Sequence, residues 1–252
     1  MARAAKKPTK SKRKPNGRGK AGKAVAKPSI WKQLRRWLGI SALAFFALTM
    51  LLVTVVAFVN PPTTPYMWSE SRRLGAVDFQ WVDLEEINPN LARAVIAAED
   101  ANFCLHWGFD MREIRKALED GSGRGASTIS QQVVKNVYLW HGRSWLRKAL
   151  EAGLTPLVEA IWTKRRIVEV YLNVAEFGEG VFGAEAAARN AFGVGPDRLA
   201  LWQAASLAAV LPDPKGRSAT SGSDYMRKRS SSIADGAETI RADGRADCFA
   251  AG

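Results

Sequence analysis

The stretch Glu99-Asp100-Ala101-Asn102-Phe103-Cys104-Leu105-His106-Trp107-Gly108-Phe109-Asp110 organises the reading of this chain. Two adjacent carboxylates follow the apolar run Val95-Ile96-Ala97-Ala98. Asn90 is read as the cap of a helix that carries Leu91, Val95 and Ala98 and ends on the acid pair. A carboxylate at an apolar helix end is costly to solvate, so its pKa rises. That is how a Glu becomes a base near neutral pH. The aromatic residues and His-x-Gly that follow do not suit a solvated face.

Downstream, the signals stay helical. Asp110 with Glu113 resembles a capping box for a helix through Met111, Ile114 and Leu118. Ser127 to Leu139 reads as a helix, and Ser144 caps a long one through Leu146, Leu150, Leu154, Leu157 and Ile161. Pro156 should kink that helix. Further helices are expected over Lys164–Asn173, Gly183–Phe192 and Pro196–Leu211, with Gly193 and Pro212 as stops. Residues 60–88 read as a membrane-proximal linker, extended or irregular after residue 62, with a short strand at Phe79-Gln80-Trp81-Val82. Residues 89–212 form the expected core, and 213–252 a polar segment with one surface helix and a loose end. The fold class is mainly α.

Upstream, Trp37 to Val59 carries no charge and is long enough to span a bilayer, and Asn60-Pro61-Pro62 ends it. The run is too long for a signal peptide and lacks a good cleavage site. The net charge of +13 belongs to the tail: residues 1–36 hold 14 Lys/Arg and no acid, and the first acid in the chain is Glu70. Such a tail is expected to be disordered. The positive-inside rule puts it in the cytoplasm and residues 60–252 outside the membrane. The rest of the chain is nearly neutral, which argues against nucleic acid as a partner and for a topology signal that touches anionic lipid.

Two cysteines and two histidines exclude a disulfide framework, a Cys-based zinc site and most His-rich metal chemistry. Cys104 and Cys248 are expected to stay unbonded, because Cys248 lies in the loose end.

Two more constellations carry chemistry. Gly125-Ala126-Ser127-Thr128-Ile129-Ser130-Gln131-Gln132 is a neutral hydrogen-bonding set suited to sugar hydroxyls or to phosphate at a helix N-terminus. Its plainer reading is an N-cap followed by polar helix positions. Lys135, Arg143, Arg147 and Lys148 with Glu151 read either as ion pairs at helical spacing or as a cationic wall for phosphate beside a second carboxylate.

Together these residues resemble family 51 glycosyltransferases, the bacterial peptidoglycan transglycosylases. Five motifs stand in order over about residues 90–193: Glu-Asp-x-x-Phe-x-x-His-x-Gly at Glu99–Gly108; the Gly-x-Ser-Thr-Ile-Thr-Gln-Gln pattern at Gly125–Gln132, with Ser130 for Thr; Arg-Lys-x-x-Glu at Arg147–Glu151; Lys164, Ile167, Glu169, Tyr171, Leu172 and Asn173; and Gly180–Ala184 with Ala186-Ala187. Pro156 departs from the pattern. The resemblance implies a lysozyme-like helical domain behind one transmembrane helix. It implies polymerisation of lipid II into β-1,4 glycan strands, with inversion and release of undecaprenyl diphosphate. Glu99 and Glu151 would be catalytic. Asp100, Phe103, Ser127, Thr128, Gln131, Gln132, Lys135, Arg143, Arg147, Lys148, Lys164 and Asn173 would contact substrate, with Mg²⁺ or Mn²⁺ as a candidate cofactor at the diphosphate. Partners would be lipid II, the growing lipid-linked glycan, the inner membrane, and division or elongation proteins. No transpeptidase motif of the Lys-Thr-Gly type follows, so a single activity is expected. A lytic muramidase of the same fold and a non-catalytic membrane scaffold are the alternatives.

Overall fold

The structure is a computed structural model, and it describes Met1 and residues 30–119, 127–142 and 144–250. Most of the expected tail, the Gly125-Ala126 pair and Arg143 lie outside those residues. The chain forms two units, Met1–Phe45 and Phe46–Gly252.

Helix α1, Ile30–Phe58, takes in the apolar run as far as Phe58, and an 18-residue stretch of it has a mean hydropathy of 2.5. It starts seven residues before Trp37, so residues 30–36 are helical rather than tail. Its last turns belong to the second unit. There Val53 is buried, the Trp162 indole donates to the Val53 carbonyl at 2.8 Å, and Arg166 donates to the Val56 carbonyl at 2.9 Å.

The second unit is a helical domain around a small sheet. Residues expected to be irregular form α2, Pro65–Leu74, because Thr64 caps it and Pro65 sits where no amide is needed. Helix α3, Pro89–Glu99, is capped by Asn88, not Asn90; the Asn88 side chain accepts from the Asn90 amide. Asp110 caps α4, Met111–Glu119, through the Arg112 and Glu113 amides. Two apolar residues of α4 face outward: Met111 is 63% and Leu118 78% exposed. Helix α5 is Ile129–Tyr138 and α6 is Trp145–Ile161, which runs on through Pro156. Helices α7, Lys164–Val174, and α8, Gly183–Phe192, lie where the periodicity puts them, and Gly193 closes α8 in the left-handed conformation. The helix expected over Pro196–Leu211 divides into a 3₁₀ turn, Pro196–Arg198, and α9, Leu201–Val210.

The expected strand shrinks to β1, Asp78–Phe79, beside β2, Glu176–Gly178, and β3, Val181–Phe182. The order is β1-β3-β2, with β1 parallel and β2 antiparallel to β3. Gly183 follows at φ +84°, and a Cβ there would lie 2.7 Å from the Asn173 carbonyl oxygen. Only glycine fits both the conformation and the space.

Two expectations about the C-terminal segment are corrected together. Residues 213–250 are not a loose end. Helix α10, Asp224–Ala242, buries Met226, Ile233, Ala237 and Ile240, and Ala246 and Phe249 are buried beyond it. Arg245 donates to the Ala101 carbonyl and Arg165 to the Phe249 carbonyl, both at 3.1 Å. This docking brings Cys248 onto the loop after Glu99. Cys104 and Cys248 form a disulfide with Cα atoms 5.7 Å apart.

Candidate active site

Glu99 ends α3 half-buried, where burial raises its carboxyl above the ordinary 4.5. Gln132 of α5 donates to Glu99 Oε2 at 2.9 Å. Tyr171 of α7, wholly buried, donates to Gln132 Oε1 at 3.2 Å. The amide is therefore oriented on one side and aims its NH₂ at Glu99 on the other. The charges of Arg229 and Lys135 act on Glu99 to lower its pKa, and Asp100 acts to raise it.

Lys135, one turn beyond Gln132, is desolvated, and burial pushes its ammonium below the ordinary 10.5. It feels the charges of Glu151, Arg147, Glu99 and Lys148, so it sits among both carboxylates and two further cations. Glu151 is buried at the start of α6, with Arg147 Nη1 at 3.1 Å on one oxygen and Lys148 Nζ on the other. Lys148 also donates to Ser127 Oγ at 3.1 Å, and Arg147 Nε to the Gly142 carbonyl at 2.7 Å. The i,i+3 and i,i+4 pairs exist, and the charges they hold act on Lys135. A cleft of about 300 Å³ opens here, lined by Gln132, Lys135, Asn136, Tyr66, His141 and Lys215 among others.

Other motif residues sit within the fold. Thr128 and Gln131 form the capping box of α5, and Thr128 also donates to the Gly108 carbonyl. Asp100 accepts from the Ile129 amide at 3.0 Å and bonds His106 Nε2 at 2.8 Å, tying α3 to α5. Phe103 is fully buried. Lys164 lies over the Phe103 ring, donates to the His106 carbonyl at 2.8 Å, and pairs with buried Glu159 at 2.9 Å. Ser130 donates to the same Glu159, so the hydroxyl kept at this position has a structural partner. Asn173 is fully buried and clamps Val82 through that residue's amide and carbonyl, with a third bond to the Glu169 carbonyl. Of the expected site residues that are described, Gln132 and Lys135 line the cleft, whereas Glu99, Asp100, Phe103, Ser127, Thr128, Gln131, Arg147, Lys148, Glu151, Lys164 and Asn173 do not. Gly108, at φ +80°, lets this loop approach α6, since a Cβ would meet Thr155 Cγ2 at 2.8 Å.

Residues the motifs did not flag complete the cleft. Tyr66 donates to Glu176, and its ring stacks on His141 at 4.2 Å between centroids. Lys215 bonds Glu70 at 2.9 Å. The signal for α2 was present in Thr64-Pro65, a cap followed by a residue suited to the first helical position. Lys215 gave no local signal, because only the packing of 213–252 brings it here.

Asp100, His106 and Asp110 place ligand atoms within 4.8 Å of one another, a spacing compatible with a metal ion. Their oxygens are already engaged: Asp100 by His106 and the Ile129 amide, Asp110 by Asn102 and two amides. At the cationic surface both Glu151 oxygens are likewise taken. Neither set fits a protein-held Mg²⁺ or Mn²⁺, and no step is drawn through one.

A family profile described as transglycosylase matches residues 69–238. A biosynthetic peptidoglycan transglycosylase of Jannaschia sp. (strain CCS1) is 57% identical over 232 residues, covering 92% of this chain and 97% of that protein. Proteins of the same name from Pseudomonas aeruginosa and Caulobacter vibrioides are 49% and 44% identical, covering 81% and 88% of this chain and 91% and 98% of theirs. With a match of this extent over the elements that carry Glu99, Lys135 and Glu151, the chain belongs to the transglycosylase family.

Proposed function

We propose that this protein polymerises lipid II into glycan strands at the bacterial inner membrane. The observation that carries this reading is a half-buried carboxylate with raised pKa, Glu99, next to a lysine-centred cationic surface. The diphosphate on the donor is a good leaving group once its charge is matched, so the chemistry needs a base more than an acid.

Glu99 takes the proton of the acceptor sugar's 4-hydroxyl. That oxygen forms the new bond to the donor's anomeric carbon as the bond to the diphosphate oxygen breaks. The electron pair leaves with the diphosphate, and attack from the opposite face inverts the centre. Gln132 holds Glu99 in place. Lys135, Arg147 and Lys148 stabilise charge growing on the diphosphate, and Ser127 shares Lys148 with it. Arg143 belongs by sequence to the same set. Glu151 acts as a positioning residue, since its two oxygens hold Arg147 and Lys148. Any Mg²⁺ or Mn²⁺ would arrive with the diphosphate.

Both substrates are lipids, and the protein is suited to meet them. One N-terminal helix is long and apolar enough to anchor it. Trp107, Met111, Leu118, Trp140 and Trp145 are exposed, residue types that lie at a lipid–water boundary. On this reading the basic tail lies in the cytoplasm and the catalytic domain outside, as the positive-inside rule expects. Division or elongation proteins would be its partners in the cell.

The test is product analysis with purified full-length protein in detergent and labelled lipid II. Polymeric glycan, abolished by moenomycin, supports the reading. Cleavage of preformed glycan without growth would instead make it a lytic enzyme.

A further inference from the structure

Helix α9 leaves one large aromatic side chain in solvent. Trp202 is 60% exposed, whereas residues 204–210 of the same helix are buried. The Phe192 ring meets it edge to face, at 5.3 Å between centroids. Beside it opens a groove of about 360 Å³. Trp202 and Ser206 of α9 form one wall, residues 219–221 a second, and Met226, Arg227 and Ser230 of α10 a third.

The lining is rich in hydroxyls and poor in free charge. Ser206 lies one turn after Trp202 and so on the same face of α9. Thr155 and Thr239 turn their hydroxyls back onto carbonyls of their own helices. The Ser206 and Ser230 hydroxyls do not, and among the described residues neither they nor the Trp202 indole N–H has a hydrogen-bond partner. Arg227 carries charge here, and it is engaged by Asp224 and the Gly222 carbonyl. The loop wall is fixed in place: Arg217 lies over the Tyr225 ring and donates to the Ala209 carbonyl at 3.4 Å.

An indole beside unpartnered hydroxyls matches a sugar. A pyranose offers a C–H face that packs on an aromatic ring, and a rim of hydroxyl and amide groups that needs donors and acceptors. The set matches a lipid surface poorly. Trp107 and Trp145 have exposed apolar neighbours in Leu105 and Leu146, whereas Trp202 has serines and a threonine.

The groove is also joined to the cleft. The chain after α9 lines the cleft with residues 211–215 and the groove with residues 219–221. From Trp202 to Leu211 the rise along the helix is about 14 Å. In the transfer proposed above, the donor's diphosphate leaves and the acceptor's remains. The product therefore carries its diphosphate on the newest unit. When that product serves as the next donor, its older sugars trail away from the reacting carbon. We propose that the Trp202 groove is a saccharide site outside the cleft, which holds this trailing part of the growing glycan. This rests on the polymerase reading. A strand of the existing wall has the same sugars, and the experiment separates the two.

The full-length protein is titrated, in a non-ionic detergent without sugar groups, with peptide-free glycan strands of β-1,4-linked N-acetylated hexosamines. Trp202→Ala should weaken binding about 5- to 10-fold, and Trp202→Phe less. A Ser206→Ala, Ser230→Ala double variant should weaken it about 3- to 10-fold; both changes suit a helix, so this variant keeps the fold even if Trp202→Ala does not. Trp68→Ala, an exposed indole on α2, should change nothing. With labelled lipid II, the Trp202 and serine variants should consume substrate at a rate within about twofold of wild type yet release strands shorter by about twofold or more, because weaker binding acts mainly through faster release. Unchanged strand affinity in folded Trp202→Ala and in the serine variant overturns the proposal. Weaker strand binding with unchanged product length overturns it in favour of wall glycan. Unchanged strand binding with loss of binding to phospholipid vesicles overturns it in favour of a lipid contact. If the wild-type protein makes no polymer, the polymerase reading itself fails. If it does and the variants match it in affinity and strand length, only the groove is lost.

Discussion

At the scale of single residues, burial holds Glu99 in a state that costs stability and suits the base role proposed for it. Its folded pKa is raised by burial. A carboxyl with a raised folded pKa favours the fold below its unfolded pKa, and that contribution is lost as pH rises through the folded value. At neutral pH the charged, desolvated Glu99 is therefore destabilising. Glu99→Gln keeps the bond from Gln132 and removes the charge. It should abolish polymerisation by about 10²–10⁴-fold yet raise the melting temperature at pH 7. The gain, about 2–4 °C for each kcal/mol recovered, should shrink as pH falls through the folded pKa. In the wild-type protein the acid limb of the rate profile should lie above the ordinary carboxylate range. Lys135→Ala removes a charge that lowers the Glu99 pKa, so it should move that limb further up while cutting turnover by about 10²-fold. Steady-state rates from pH 4 to 9 with parallel thermal melts check both. Glu99 stands out in the sequence because an acid after an apolar helix is costly to desolvate, and Lys135 because it heads the run of cations that continues through Arg147 and Lys148. Lys164 and Asn173 are not separable there from substrate contacts, because a motif shows that a residue type is required and not which side of a helix it faces.

At the scale of elements, the candidate site depends on two fixings that periodicity does not reveal. Asn173 joins α7 to the chain at Val82 through two buried bonds. Asn173→Ala leaves the Val82 amide and carbonyl without partners and should cost about 2–4 kcal/mol, read by chemical denaturation. The second fixing is the Cys104–Cys248 disulfide, which spans 144 residues and pins the loop after Glu99 to the C-terminal segment. A Cys104→Ser, Cys248→Ser double variant should lose about 2–4 kcal/mol, and reductant should lower the wild-type melting temperature but not the variant's. Helices α5 to α8 are readable because caps and stops bracket each one. Helix α10 is harder to place, because its exposed face is so polar that four buried residues, Met226, Ile233, Ala237 and Ile240, do not stand out. With α10 read as a surface helix, Cys248 has nothing to hold it, and the disulfide is not expected.

At the scale of the whole molecule, the apolar helix has two parts with different roles. Residues 30–45 form part of a separate unit, whereas 46–58 belong to the catalytic unit through Val53 and Val56. A chain starting at residue 46 should melt within about 2 °C of the full protein. One starting at residue 60 uncovers Trp162 and Arg166 and should melt several degrees lower; calorimetry in detergent distinguishes them. The central claim is that Glu99 supplies the base and the cations supply binding. The most direct test is Glu99→Gln assayed on labelled lipid II for both binding and glycan growth. Binding within a few-fold of wild type, with growth reduced at least 10²-fold, is the expected result. Growth within a few-fold of wild type would remove Glu99 from the base role and contradict the account.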